Sequence, residues 1–443
     1  MCGMSRNVLF LSNDHSVPFA KTTEFLASAC ERLGHRSVVR DTFPSRIQRS
    51  MLGEKSQEKP LKRLAGHWNE FLEEMQIDTV LGLDLFWLFY PEPFFNSPAV
   101  KDIGSIWFDD FRSWITYPTN VWFSNTDMKF QSIIRHPKVW HVFYGESMAQ
   151  EARLFGVDKQ LSSRLAAPAE FLKQKFPCEI KDKAVFIGNP GFRGAPHQDA
   201  IDLMKSGGDL VSLRMLSRDH ILRAGDEAVQ KWFRLEPQTR ELLAVAMEVK
   251  ARNPFAPSLE LLRMAGEVYP KAFAFANDNS ILLDFTLLVK LVTRYDRPAL
   301  VMRLYEKGLV DVYSNSPEWE PYGVKAGKNI NLGELPEYYQ KYTVHLNGAN
   351  PLRDATGNEK LFEIAASGRV SVNLRSPDVM SCYPEPEIVV GDSLEELETK
   401  TCELLANPEE ALARGAMAKQ RTAREHLWEH RLRAILKEFD KRD

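Results

Sequence analysis

The run Gly357-Asn358-Glu359-Lys360-Leu361-Phe362-Glu363-Ile364-Ala365-Ala366-Ser367-Gly368 sets a lysine and a carboxylate near the start of a stretch with helical spacing. A helix is predicted from about Asn358 to a stop at Gly368, followed by a strand at Val370–Leu374. Leu361, Ile364 and Ala365 would then face a sheet. Lys360 and Glu363 would lie near the N-terminal end, where a ligand would sit. A helix N-terminus with a lysine beside it suits a phosphate. A carboxylate there would not face that phosphate, because like charges repel; it would accept hydrogen bonds from sugar hydroxyls. The plain structural alternative is a solvated first turn with acid against the positive end of the helix dipole. Sequence alone leaves both open.

A second segment, Gly188-Asn189-Pro190-Gly191-Phe192-Arg193, follows a short apolar run at Lys183–Ile187. Its glycines permit close backbone approach to a pyrophosphate, and Arg193 is suited to a bidentate phosphate contact. Arg353 is a further cation of the same kind. Each could equally be a surface cation. General base catalysis needs a carboxylate or imidazole placed to take a proton. Asn13-Asp14-His15-Ser16 follows the first apolar run, and Asp109-Asp110 follows Ile106-Trp107-Phe108, so Asp14, His15 and Asp110 are the candidates for that base. Paired acids raise one another's pKa by repulsion. The competing explanation for each is a turn or helix cap. Tyr144-Gly145-Glu146-Ser147 is a weaker candidate. Phe86-Trp87-Leu88-Phe89-Tyr90 and Trp107-Phe108 would stack a sugar ring or pack a core.

Several chemistries are excluded by what the chain lacks. No Asp-x-Asp occurs, which removes the usual anchor for a metal-bound diphosphate. Gly188, Gly191 and Gly194 do not have dinucleotide-fingerprint spacing, and no GxSxG, GxxxxGK[ST] or HExxH is present. His426-Leu427-Trp428-Glu429-His430 does match H-x-x-E-H. On one continuous helix its histidines would share a face and could share a zinc ion. No third ligand follows in the short remainder of the chain, so the expectation is no metal site and two packed histidines.

These residues must be positioned by alternating elements. Arg6–Ser12 reads as a buried strand, Thr22–Gly34 as a helix and His35–Arg40 as the next strand, a βαβ opening. Thr79–Leu83, Ser105–Phe108, Val121–Phe123 and Val139–Tyr144 continue the rhythm. A linker-like stretch at 176–182 precedes a second α/β opening at Lys183–Ile187. From about residue 200 to 295 the spacing is almost wholly helical, as for an insertion. Alternation resumes with a helix at Arg297–Lys307, a strand at Val310–Tyr313, a helix at Leu335–Tyr342, and strands at Thr343–Asn347, Val370–Leu374 and Glu387–Val390. Asn407-Pro408-Glu409-Glu410 is a helix start with its cap, first-position proline and acidic first turn. The expected domains are 1–178, 179–425 with the helical insertion at about 200–295, and a terminal helix, 426–443, crossing back to the first.

With 443 residues, the chain has room for two or three domains. Its 57 Lys plus Arg against 60 Asp plus Glu give a net charge of -3, which does not fit a dedicated nucleic-acid binder. No apolar run approaches a membrane span of ~18 residues, and the short N-terminal apolar stretch does not read as a signal peptide. Five scattered cysteines without a CxxC read as reduced thiols, so a cytoplasmic location is expected.

From Arg297-Pro298-Ala299-Leu300-Val301-Met302-Arg303 to the end, the text resembles the C-terminal half of GT-B-fold, family 1-like glycosyltransferases, in particular the spore-maturation (CgeB-like) group. The resemblance runs through Val312-Tyr313, Pro317-Glu318-Trp319, Leu335–Asn347, Lys360–Gly368, Ile388-Val389-Val390, Leu394-Glu395-Glu396-Leu397, Asn407-Pro408-Glu409-Glu410 and His426–Leu432. Where the family reads Arg-x-Phe-Glu-x-x-Ala-x-Gly, Lys360 replaces the arginine, and Glu363 and Gly368 hold their places. Ala184–Asn189 is similar to the family's first strand of this domain. The first half of the chain is thinly covered. The resemblance implies an α/β fold of two Rossmann-like domains facing across a cleft. It implies transfer of a sugar from a nucleotide-sugar donor to a glycan, protein or small-molecule acceptor, without a metal or other cofactor. Glu363 would bind the donor ribose, with Gly188, Asn189, Arg193, Arg353 and Lys360 around the diphosphate. Eight positions before Glu363 stands Ala355, with Asp354 beside it, so the two-acid pattern of many GT-B enzymes is incomplete. An epimerase or hydrolase of the same fold, or a non-catalytic binding protein, are the alternatives.

Overall fold

The computed structural model describes residues 5–12, 17–41, 68–83, 98–106, 136–154, 156–173, 179–191, 196–223, 239–278, 281–314, 317–351, 354 and 357–441. The chain forms two compact units, Met1–Pro168 together with Leu427–Asp443, and Ala169–His426. Each is an α/β fold built on a parallel sheet.

In the first unit, strands β1 (Asn7–Ser12), β2 (Arg36–Asp41), β3 (Thr79–Leu83), β4 (Asp102–Ile106), β5 (Val139–Phe143) and β6 (Gln160–Ser162) pair in the order β2-β1-β3-β4-β5-β6. All the pairings are parallel. The three central strands β3, β4 and β5 are buried along their whole length, as expected for a parallel sheet covered on both faces. Helix α1 (Val17–Arg32) makes the first crossover, and α2 (Glu146–Arg153) follows β5. β4 starts at Asp102, earlier than the apolar run at Ser105 predicted. Its register pairs Asp102 with Thr79, and the Asp102 carboxylate is satisfied by Arg6 Nη1 at 2.7 Å, so a charged residue sits inside the sheet. β6 is a three-residue edge strand that carries no sequence signal. The predicted strand at Val121–Phe123 lies outside the described residues.

The second unit has strands β7 (Ala184–Ile187), β8 (Val310–Tyr313), β9 (Val344–Asn347), β10 (Val370–Leu374) and β11 (Val389–Gly391), in the order β11-β10-β9-β7-β8. Here too every pairing is parallel. In both sheets the first strand lies between the second and third, so the winding direction reverses beside it. Between β7 and β8 run α3 (Gln198–Lys205), α4 (Leu210–Leu222), α5 (Arg240–Arg252), α6 (Ser258–Val268), α7 (Pro270–Asp278), α8 (Leu282–Lys290) and α9 (Asp296–Tyr305). Leu242, Met247, Leu262, Leu288 and Val292 form a separate core among these helices. The main core, with Phe186, Trp319, Val344 and Val372, lies on the sheet. Arg214 on α4 grips Asp296 at the start of α9 through Nε and Nη2, at 2.8–3.0 Å.

The remaining crossovers are α10 (Leu335–Gln340), α11 (Glu359–Ala366) and α12 (Pro377–Cys382), and α13 (Leu394–Ala406) and α14 (Pro408–Glu425) follow the last strand. The Asn407 side chain caps α14 at Glu410 N. After α14 the chain rejoins the first unit through α15 (Trp428–Asp440). There Phe439 packs on Trp140 with ring centroids 5.5 Å apart, and Asp440 Oδ1 accepts from Arg6 Nη2 at 2.7 Å. Arg6 Nη1 also donates to Thr79 Oγ1 at 2.8 Å. Among the described residues no single helix is long and apolar enough to cross a membrane.

Candidate functional site

In a parallel sheet, ligands bind outside the carboxyl ends of the strands, where the winding reverses. In the second unit that point lies between β7 and β9. β7 runs out into Gly188, Asn189, Pro190 and Gly191. Gly188 and Gly191 have φ of 149° and 102°, a region that side-chain-bearing residues rarely occupy. A Cβ on Gly191 would also fall 2.9 Å from the Pro351 ring. Asn189 Oδ1 accepts from Gly191 N at 3.0 Å, closing an Asx turn. Trp319 Nε1 donates to the Gly188 carbonyl at 2.8 Å from below.

The neighbouring loop, from the end of β9, is tied to this one by Arg297. Its Nη1 donates to the Asn189 carbonyl at 3.1 Å, its Nη2 to the Gly348 carbonyl at 3.1 Å and its Nε to the Ala349 carbonyl at 3.2 Å. The Gly348 carbonyl also accepts from Asn358 Nδ2 at 3.2 Å, while Asn358 Oδ1 caps α11 by accepting from Leu361 N at 3.2 Å. The first turn of α11 is therefore fixed to the same loop. From that turn Lys360 reaches across to the β7 loop: a Cβ on Gly188 would lie 3.7 Å from Lys360 Cε. Gly188, Asn189 and Lys360 are thus brought together at one strand-end site.

Glu363 lies one turn further along α11 and is only 5 % exposed. Its Oε2 accepts from Tyr339 Oη on α10 at 2.9 Å. Burial pushes its pKa up to about 7, against the pull of Lys360 and the Tyr339 hydrogen bond and with the help of Glu359. Burial, reinforced by Glu363, holds the Tyr339 phenol well above its ordinary value. Glu363 is therefore poised between its charged and neutral forms near neutral pH.

A pocket beside the start of α11 is lined by Phe255, Asn347, Asp354, Asn358, Asn373 and Ser376. Asn347 and Asn373 are paired by strand register, and Asn347 Nδ2 donates to Asn373 Oδ1 at 2.8 Å. Asn347 Oδ1 is buried without a hydrogen-bond partner among the described residues. An unused buried acceptor beside a pocket suits a ligand N–H or O–H. Asp354 reaches the helical segment instead: it accepts from Lys250 Nζ at 2.6 Å, Ser258 Oγ at 2.7 Å and Ser258 N at 3.0 Å. Burial pushes this carboxyl up, but Lys250, Lys290 and the Ser258 backbone outweigh it and hold it below the ordinary carboxylate range. It is a structural anion.

Asp14, His15, Asp110, Arg193, Arg353 and Ala355 lie outside the described residues, as do the aromatic runs at 86–90 and 107–108. The H-x-x-E-H segment is not one helix: α14 ends at Glu425 and α15 begins at Trp428, with Leu427 extended between them at ψ 159°. The shared helical face expected for His426 and His430 does not form. His426 Nε2 meets the Cys382 carbonyl at 3.0 Å and its ring packs on Tyr383, while His430 Nδ1 accepts from Leu427 N at 3.0 Å. Sequence reasoning missed Arg297, Tyr339 and the Lys250–Asp354 pair. Gly348 directly after β9, which admits Arg297, was the available signal.

Among solved structures, the chain is similar to a glycosyltransferase from Rickettsia africae, at 8% identity over 99% of both chains and a TM-score of 0.45. It is similar to a sucrose-phosphate synthase from Thermosynechococcus elongatus, at 8% identity over 98% of both chains and a TM-score of 0.46. It is also similar to a UDP-forming alpha,alpha-trehalose-phosphate synthase from Burkholderia vietnamiensis, at 11% identity, over 99% of this chain and 97% of that one, and a TM-score of 0.45. At such values the likeness says nothing of substrate. No curated protein matches the chain. Residues 297–437, from the arginine that ties the two loops to the last turns of α15, match the family model described as "Glycosyl transferase-like".

Proposed function

We propose that the chain is a GT-B-type glycosyltransferase that moves a sugar from a nucleotide-sugar donor to an acceptor without using a metal. The observation that carries this reading is the meeting of Lys360, the Gly188–Gly191 loop and the first turn of α11 at the winding reversal of the second sheet; Lys360 and α11 fall within residues 297–437, which match a glycosyltransferase-like family model, and the loop precedes that match. The leaving nucleoside diphosphate would lie along that turn. Its charge would be met by Lys360 and by backbone N–H groups at the helix start. Glu363 would accept hydroxyls of the nucleotide ribose, and Arg193 and Arg353 would add positive charge. Asp14, His15 or Asp110 would take the acceptor's proton. Membership of the spore-maturation group rests on the residues quoted for it.

The test is calorimetric titration of the protein with UDP, GDP, ADP, CDP and TDP, followed by the Lys360→Ala variant. At least one diphosphate is expected to bind, and Lys360→Ala is expected to weaken it about tenfold, the loss of one charge-assisted contact. If none of the five binds the folded protein, the donor site is refuted. Sugar transfer from the matching nucleotide sugar, followed by product analysis with and without acceptor, separates a transferase from a hydrolase.

A further inference from the structure

We propose that His197, Asp199 and His220 form a zinc site that clasps α3 to α4. His197 immediately precedes α3, Asp199 lies in its first turn and His220 is in the last turn of α4. One donor atom from each of the three lies within 4.8 Å of the other two. Asp199 Oδ1 accepts from Ala200 N at 2.9 Å, which fixes the carboxylate and leaves Oδ2 facing His220 Nε2, also at 2.9 Å. His220 is 2 % exposed, and its Nδ1 has no hydrogen-bond partner among the described residues, so Nε2 is the atom that orients the ring.

The His197 and His220 rings are stacked with centroids 3.8 Å apart and planes at 27°. A metal ion lies in the plane of each imidazole it binds. His197, the half-exposed member, must therefore turn about its side-chain torsions to share the ion, while the buried His220 stays in place. Binding replaces the Nε2–Asp199 hydrogen bond by one bond from each group to the ion, and the ring proton passes from Nε2 to Nδ1. Two imidazoles and one carboxylate suit zinc, and the 51 % exposed Asp199 side leaves a fourth position for water. The site uses none of the residues assigned to the donor, so it stands or falls independently of that reading.

The test uses full-length protein stripped with a chelator and then dialysed. Zinc chloride is titrated by calorimetry and thermal shift, with magnesium chloride as the hard-cation control. One zinc per chain and a raised melting temperature are expected, with no comparable effect of magnesium. His197→Gln and Asp199→Asn change exposed or half-exposed side chains and should leave the fold intact; each is expected to weaken zinc at least about tenfold. His220→Asn, at a buried position, is the supporting variant. The proposal is overturned if zinc does not bind the stripped protein. Unchanged affinity in both exposed-side variants, or an equal response to magnesium, overturns it as well.

Discussion

Arg297 Nη2 donates to the Gly348 carbonyl at 3.1 Å, and a Cβ on Gly348 would fall 2.6 Å from Arg297 Cγ, so each residue fixes the other. The atom in the way is near the root of the arginine side chain, where there is little freedom to yield. Gly348→Ala is expected to displace Arg297 and destabilise the second unit by about 1–3 kcal/mol. Arg297→Ala, which strands buried carbonyls, should cost about 3 kcal/mol. Chemical denaturation of both variants checks this. A Gly348→Ala variant as stable as the parent would show that the two residues are not coupled.

Lys250 and Asp354 are each 1 % exposed at the side chain and 2.6 Å apart. Removing one partner leaves an uncompensated buried charge. Lys250→Met and Asp354→Leu are each expected to destabilise by about 3–5 kcal/mol. The double variant Lys250→Met/Asp354→Leu should recover most of that loss. Urea unfolding of the parent and the three variants gives the coupling directly; additive losses would refute it.

Glu363 gives a pH signature of unusual sign. Its pKa in the folded protein is about 7, against an ordinary 4.5, so the folded state holds the proton more tightly. Its contribution is therefore complete below pH 4.5 and is lost as pH rises toward 7, by about 3 kcal/mol. Glu363→Gln removes that slope. Stability of parent and variant, measured from pH 5 to pH 8, should diverge with the variant gaining at the alkaline end. Parallel curves would mean that the carboxyl ionises freely.

His345 acts in the opposite direction. It is 1 % exposed, and its Nε2 lies 3.0 Å from the Tyr339 carbonyl and 3.1 Å from that of Tyr342. Burial, with Arg369 nearby, lowers its pKa from 6.5 to about 3. The stability it lends is present above pH 6.5 and is lost as pH falls toward 3, because the unfolded chain takes up the proton first. Acid unfolding followed by circular dichroism should move to lower pH in His345→Gln, provided that variant folds at pH 7. An unmoved midpoint in a folded variant would rule His345 out as a trigger.

The strands were legible because their apolar residues form local patterns, contiguous in Val8–Leu11 and alternating with Ser371 and Asn373 in Val370–Leu374. Val8–Leu11, Val80–Leu83 and Val370–Leu374 each announce a buried parallel strand without help from distant residues. The first turn of α11 was legible for the same reason, since Asn358 caps three residues ahead. What stayed hidden depends on partners far apart in the chain. Arg297 meets Asn189 across 108 positions, and Lys250 meets Asp354 across 104. No local pattern distinguishes either cation from a surface one. The break at Leu427 carries neither glycine nor proline; it is imposed where Trp428 N donates to the Ala167 carbonyl at 3.1 Å. Tertiary contact there overrides an uninterrupted helical pattern.

Arg6 and Asp440 are partners 434 positions apart. On the ribosome Arg6, just ahead of β1, emerges 434 residues before the carboxylate that completes its ion pairs. The first unit therefore cannot mature as an early, self-contained folding event during synthesis. It must wait, with the inner face of its sheet short of Phe439, while the other unit is threaded out and closes. A stop codon just before α15 would thus damage a unit whose sheet is made long before that helix.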